Sequence, residues 1–254
     1  IFILLSFIFL PLLISIPYYL SIYNFNFINA YFEAVSGFTT TGFTIIENIK
    51  NIDESLLIWR SSSQWLGGLF FLVATIGTIG SSKIKIKPSY LVSGGTSDQN
   101  FYKNFNYNSI KILMIYFFTT VLFIFLYSFS GIRLFDGFNL ALTIVSSGGF
   151  ITTAELSSVI TNNLQIFILS LTLLIPIFNF YLFFNLFSRK FSFQNHQEDI
   201  HLGIMILLLT LFFYFFLIAE EGFLEVFLAV VTSISTSGIS LYSSTFDISL
   251  FFIL

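Results

Sequence analysis

The sequence predicts an all-α integral membrane protein built from repeated units, each a spanning helix, a re-entrant half-helix with a polar loop, and a second spanning helix. Three observations carry this. The 254 residues are 56% hydrophobic and 9% charged, with a mean hydropathy of +0.91. Soluble domains carry about 25% charged residues, so a water-facing surface cannot be made from this composition. Apolar runs near the roughly 20 residues a bilayer demands recur at about 1–20, 58–80, 109–131, 164–187 and 202–219, with a sixth beginning near 248. Between the first and second, third and fourth, and fifth and sixth runs lies a shorter apolar stretch closed by a Ser/Thr/Gly cluster.

The first run has no basic flank before it and no small-residue cleavage site after it, so it is not a cleavable signal peptide. Residue 1 is Ile rather than Met and the chain stops inside the apolar run "ISLFFIL", so it reads as a fragment. With no cysteine, disulfides and thiol-ligated metals are excluded. The shorter apolar stretches hold about ten residues, which at about 1.5 Å each cover about half a bilayer, the length of a re-entrant half-helix.

Aligned on one glycine, the three segments are "INAYFEAVSGFTTTGF" (28–43), "FDGFNLALTIVSSGGF" (135–150) and "LEVFLAVVTSISTSGI" (224–239). Thirteen residues before the glycine stand Asn29, Asp136 and Glu225. Asn and Asp are favoured helix N-caps and the charge of Glu suits a first turn, so these three are expected to cap the half-helices. Tyr31, Phe138 and Phe227 follow two residues later. Hydroxyl pairs precede the glycine: Thr39 and Thr40, Ser146 and Ser147, Ser235 and Thr236. Three matched occurrences make an internal repeat.

Non-helical backbone at membrane depth is tolerated only where protein buries it or a water-filled cavity solvates it. Glycine permits dihedrals that L-residues avoid, so successive carbonyls can face one axis, and a ring of carbonyls can replace the hydration shell of a cation. The negative C-terminal end of each half-helix would favour the same cation. The competing reading is that the clusters are ordinary interhelical loops; one cluster alone would fit it, whereas three in register favour a pore.

Sidedness follows from charge. The linker 81–108 carries Lys83, Lys85, Lys87 and Lys103 against Asp98, and the linker 188–201 carries Arg189 and Lys190 before Glu198 and Asp199. The connections around the clusters carry Glu47, Asp53, Glu54, Glu155, Glu220 and Glu221, with Lys50 and Arg133 as exceptions. The positive-inside rule places both linkers in the cytoplasm and the clusters toward the outside.

"FEAVSGFTTTGF" (32–43), "WRSSSQWLGGLF" (59–70), "GIRLFDGFNLALTIVSSGGF" (131–150) and "VTSISTSGIS" (231–240) together resemble the Trk/Ktr/HKT superfamily of potassium transporters, in particular its bacterial TrkH/KtrB-type membrane subunits. The resemblance covers nearly the whole chain and is most specific at the first loop. It implies a potassium-channel-like fold of four M1–P–M2 repeats around one pore. Here the first repeat would span 1–80, the second 109–187 and a third, cut in its M2 helix, 202–254. The fourth repeat and the basic residue of its last inner helix are absent. The second loop reads Ser147-Gly148-Gly149 where the family more often has Thr, and Pro176 stands where small residues are common.

Carried over by position, the resemblance assigns filter carbonyls to Thr40, Thr41 and Gly42, to Ser147, Gly148 and Gly149, and to Thr236, Ser237 and Gly238. In plant relatives Ser at the position of Gly42 goes with sodium and Gly with potassium, so potassium is the implied ion, with sodium or mixed transport as the alternative. The resemblance further implies a multi-pass protein of the cell (inner) membrane, in contact with lipid, usually dimeric. A cytosolic nucleotide-binding subunit of the TrkA/KtrA type would gate it, with no organic cofactor and no nucleic acid.

Several residues stay open. Glu33, nine residues before Gly42, either tunes cation entry or braces the loop as a buried hydrogen-bonded group. Arg60 and Gln64, one turn apart, either anchor in headgroups or the loop above, or act on the pore. Gly67 and Gly68 suit close helix packing. His196 and His201 are five apart, which is not the i, i+4 pair of a zinc helix. Gly94 and Gly95 suit a flexible linker better than a phosphate loop. A membrane-embedded enzyme on lipid-linked substrates would place His, Asp, Glu or Arg clusters at span ends, where this chain is sparse. A secondary transporter would show inverted repeats, whereas these run parallel.

Overall fold

Helix α1, Phe2–Ser21, is apolar on every face and keeps its course through Pro11 and Pro17, as spanning helices do where neighbours satisfy the freed backbone groups. In the computed structural model, residues 2–46, 49–79, 101–178, 197–216, 222–239 and 241 are described. After α1 come α2 (Phe27–Phe38), α3 (Glu54–Ile79), α4 (Phe101–Phe129), α5 (Leu134–Val145), α6 (Asn163–Ile177), α7 (Gln197–Phe216) and α8 (Phe223–Ile234). All regular structure among the described residues is helical.

Three helices are long and apolar enough to cross a membrane: Ile3–Ser21 of α1, Ser109–Phe129 of α4 and Gln197–Phe215 of α7. With 26 residues α3 has the length as well. Its N-terminal half, however, carries Arg60, Ser61, Ser62, Ser63 and Gln64, and of these Arg60, Ser61, Ser63 and Gln64 are buried. Polar groups at this depth must face protein rather than lipid. Large apolar side chains are left exposed on α1, α4 and α7, such as Leu4, Phe118 and Leu208, a surface suited to lipid rather than water.

The half-helices α2, α5 and α8 have 12 residues each. Here the expected caps are corrected. The N-cap positions are Asn26, Arg133 and Gly222, none with a side-chain capping bond. Asn29, Asp136 and Glu225 stand one turn inside, at the third helical residue. The register found in the sequence is right and the role is not: an acid in a first turn is stabilised by the helix dipole without capping it.

Inner and half-helices interleave. Within each unit α1 packs on α2 and α3, α4 on α5 and α6, and α7 on α8; across units, α3 lies between α2 and α5, and α6 between α5 and α8. The main core runs through α4, α5, α6, α7 and α8 around Phe123, Tyr127, Leu140, Ile144, Leu169, Leu173 and Val231. A smaller cluster of Tyr18, Ala30, Ala34 and Leu56 joins α1, α2 and α3. Buried hydroxyls pair within this core, as in Tyr127 with Thr172 (2.5 Å).

The stretch 101–108, expected in the linker, is the start of α4, and α7 begins inside the second linker, at Gln197. The rest of both linkers, with Lys83, Lys85, Lys87, Gly94, Gly95, Arg189, Lys190 and His196, lies outside the described residues. So do Glu47, Glu220, Glu221 and the third repeat's second span.

Candidate functional site

All three half-helices end in the same turn. Thr40, Ser147 and Thr236 have φ of 57°, 54° and 57°, the left-handed region that is uncommon for any non-glycine residue and a genuine outlier for the two β-branched threonines. In the first loop the Thr40 N–H donates to the Gly37 carbonyl (2.9 Å) and the Thr41 N–H to the Ser36 carbonyl (2.9 Å). In the second, Ser147 donates to Ile144 (2.9 Å) and Gly148 to Thr143 (2.8 Å). These are Schellman closures, which usually place glycine at the left-handed residue. The third is half of one: Thr236 donates to the Ser233 carbonyl (3.2 Å), while the Ser237 hydroxyl, not its N–H, reaches the Thr232 carbonyl (3.5 Å).

The glycines then serve the approach of the loops. A Cβ on Gly42 (φ +81°) would stand 2.7 Å from both the Cα and the N of Gly149. A Cβ on Gly149 would run into the Ser237 carbonyl. The first loop therefore meets the second at Gly42 and Gly149, and the second meets the third at Gly149 and Ser237. Gly238 has φ +62°, and no described atom lies within 4 Å of a built Cβ. Gly148 is excluded from side chains by the Gln64 amide, into which its Cβ would run. Loop hydroxyls pair locally, Thr39 with Thr41 (2.7 Å) and Ser235 with Ser237 (2.9 Å).

Behind the first two loops lies a buried polar cluster. The Glu33 carboxylate accepts from the Thr44 hydroxyl (2.6 Å) and the Ile45 N–H (2.7 Å), so Glu33 is a brace for the chain leaving the first loop. Arg60, 1% exposed, pairs with Glu33 at 3.6 Å and donates to Thr44 (3.1 Å). Its guanidinium lies 4.1 Å over the ring of Phe150, the residue after the second loop. The fully buried Gln64 accepts from the Phe150 N–H at 3.3 Å. Both residues sit in protein rather than in headgroups. Gly67 lets α3 touch the Phe38 backbone, and Gly68 lets it touch Ser146, so the Gly-Gly pair seats α3 between the ends of two half-helices.

Between the second and third loops the described residues show no such charged cluster. Thr152 donates to Asp136 (2.6 Å), and the Ser157 N–H reaches the Leu241 carbonyl (3.1 Å). Among sequence-assigned positions, Gly42, Gly149 and Ser237 are brought together, and Thr40, Ser147 and Thr236 share one conformation. Ser36, whose hydroxyl holds the Phe43 carbonyl (2.6 Å), and Thr44 were not expected. The signal for Thr44 was faint: an acid and a base at membrane depth need an intervening donor and acceptor.

The TrkH model, described as a cation transport protein, matches residues 5–241. An uncharacterised cation transporter of Methanocaldococcus jannaschii is 36% identical over 136 residues, 53% of this chain and 28% of that protein. The Trk system potassium uptake protein TrkG of Escherichia coli is 30% identical over 188 residues, 73% of this chain and 38% of that one. The crystal structure of the potassium transporter TrkH from Vibrio parahaemolyticus superposes with a TM-score of 0.67 at 18% identity, covering 93% of this chain and 52% of that chain. The chain thus spans about half or less of the length of these proteins.

Proposed function

The chain belongs to the TrkH family of cation transport proteins, and on that premise we propose that it forms part of a potassium uptake pathway whose ion sites lie along its three loops. The observation that carries the reading is the repeat of one turn: three 12-residue half-helices, each closed by a left-handed hydroxyl residue, with loops touching at Gly42, Gly149 and Ser237. Backbone carbonyls of Thr40, Thr41, Gly42, Ser147, Gly148, Gly149, Thr236, Ser237 and Gly238 replace ion hydration, as in carbonyl-lined filters. The half-helix C-termini supply a favourable field for a cation. The chain is a membrane transporter and not an enzyme on this reading, in the cell (inner) membrane, with linkers 81–108 and 188–201 cytoplasmic. A second copy and a cytosolic nucleotide-binding subunit complete the working assembly.

Expression of the full-length protein in a potassium-uptake-deficient host tests this. Growth and rubidium or potassium uptake at low external potassium are expected, and they are lost on substituting Gly149, whose Cβ would strike the third loop. Uptake driven equally by sodium would favour a sodium or mixed pathway in the same fold. No cation uptake from well-expressed protein would remove the reading.

A further inference from the structure

Ion choice by adjacent loops depends on holding their backbones at a fixed separation. The contacts around α3 join the first two loops through one helix face. Arg60 and Gln64 are one turn apart, so both project from that face. Toward the first loop, Arg60 reaches Thr44 (3.1 Å) and Glu33 (3.6 Å). Glu33 in turn holds the Ile45 N–H (2.7 Å). Toward the second loop, the same guanidinium lies on the Phe150 ring (4.1 Å), and Gln64 accepts the Phe150 N–H (3.3 Å) while filling the space beside Gly148. Glu33, Arg60 and Gln64 are each at most 1% exposed. A buried charge of this kind is held in one geometry, since leaving it unpaired is costly.

The other inner helix among the described residues, α6, packs on both α5 and α8 without a charged residue, in the sequence NLQIFILSLTLLIPI. There the third loop is closed by its own hydroxyls, Ser235 with Ser237 and Ser237 to Thr232. Helix α3 is therefore specialised.

We propose that Arg60 and Gln64 are positioning residues that set the spacing of the first and second loops and thereby the preference for potassium over sodium, with Glu33 as their counter-charge. The inference rests on the filter reading of the loops.

The test is the potassium-to-sodium transport ratio of the full-length protein, normalised to folded protein in the membrane. Gln64→Leu keeps the bulk beside Gly148 and removes the acceptor for Phe150. Glu33→Gln combined with Arg60→Gln removes both charges together and so leaves neither stranded, the arrangement that folds best after loss of a buried pair. Each variant is expected to lower the ratio about tenfold, which corresponds to ~1.4 kcal/mol. A role in folding alone lowers the amount of protein without moving the ratio. Gly42→Ser is measured beside them. If Gly42→Ser shifts the ratio while Gln64→Leu and the paired variant keep it, the proposal is overturned and the filter reading stands. If Gly42→Ser leaves it unmoved, the filter reading falls and takes the proposal with it. Failure of both brace variants to accumulate as folded protein assigns the cluster to folding and likewise overturns the proposal.

Discussion

Replacing Gly42 with serine is expected to degrade potassium preference far more than the same change at Gly131, although both glycines are left-handed. Both have positive φ, +81° and +83°, so the left-handed conformation costs a serine about 1–2 kcal/mol at either position. The difference is place and space. At Gly42 the new Cβ meets the Cα and N of Gly149 at 2.7 Å, and the two loops must part by roughly 0.7 Å to restore ordinary carbon contact. Gly131 lies in the exposed turn between α4 and α5, where no described atom lies within 4 Å of a built Cβ. A shift of that size changes cation coordination distances by a large fraction of the potassium–sodium size difference, and about 1.4 kcal/mol of differential coordination is a tenfold change in ratio. The expected outcome is a loss of about tenfold or more for Gly42→Ser and under about threefold for Gly131→Ser. The assay is competitive uptake of the two ions by full-length protein in proteoliposomes. Equal ratios for both variants would refute the reasoning, because contact between the loops would then not govern ion choice. Gly68→Ser does not serve as a neutral packing control, since its Cβ would press on Ser146 and Tyr116 at 2.8 Å.

Three further outcomes are expected. Glu33→Ala removes the acceptor of Thr44 and Ile45 and strands Arg60, so thermal unfolding of the purified protein should show a loss of about 3–5 kcal/mol; a loss under about 1 kcal/mol would show that the ion pair is not buried as described. Gly148→Ala should cost about 1–3 kcal/mol by overpacking against Gln64, and combining it with Gln64→Ala should recover part of that cost; strictly additive melting shifts would separate the two residues. Because the sequence has no cysteine, Asn51→Cys should react from outside with an impermeant thiol reagent and His201→Cys only after permeabilisation. The opposite pattern inverts the topology.

The half-helices and loops were legible because the repeat is strong and its length excludes a full span. Their N-termini were not. Asn29, Asp136 and Glu225 have the chemistry of caps and of first-turn residues alike, and Arg133 and Gly222, which occupy two of the N-cap positions, offer no capping acceptor. The left-handed residue was hidden for a similar reason. Glycine attracts that assignment, yet Thr40, Ser147 and Thr236 adopt it two residues earlier, where the Schellman bonds outweigh the strain. The separate roles of Gly42 (contact between loops) and Gly148 (room for Gln64) depend on partners more than 80 residues away in both cases, one in another loop and one on another helix. The open choices for Glu33 and Arg60 close only when their separation is known, although opposite charges in two apolar segments already pointed to a pair.

The interleaving of inner and half-helices also bears on biogenesis. Each new unit docks on a surface made by the unit before it: α5 on α3, then α8 on α6. Space therefore follows chain order, and assembly can proceed as translation does, with the first unit inserted and paired while the second is still being synthesised. Domains emerging in sequence generally fold in that order. The Arg60 guanidinium is exposed to an incomplete environment only until Phe150 arrives, which is one unit's worth of synthesis. Until the second unit docks, that cation has its partners Glu33 and Thr44 without the Phe150 ring, so the first unit's buried charge is fully enclosed only by the unit made after it.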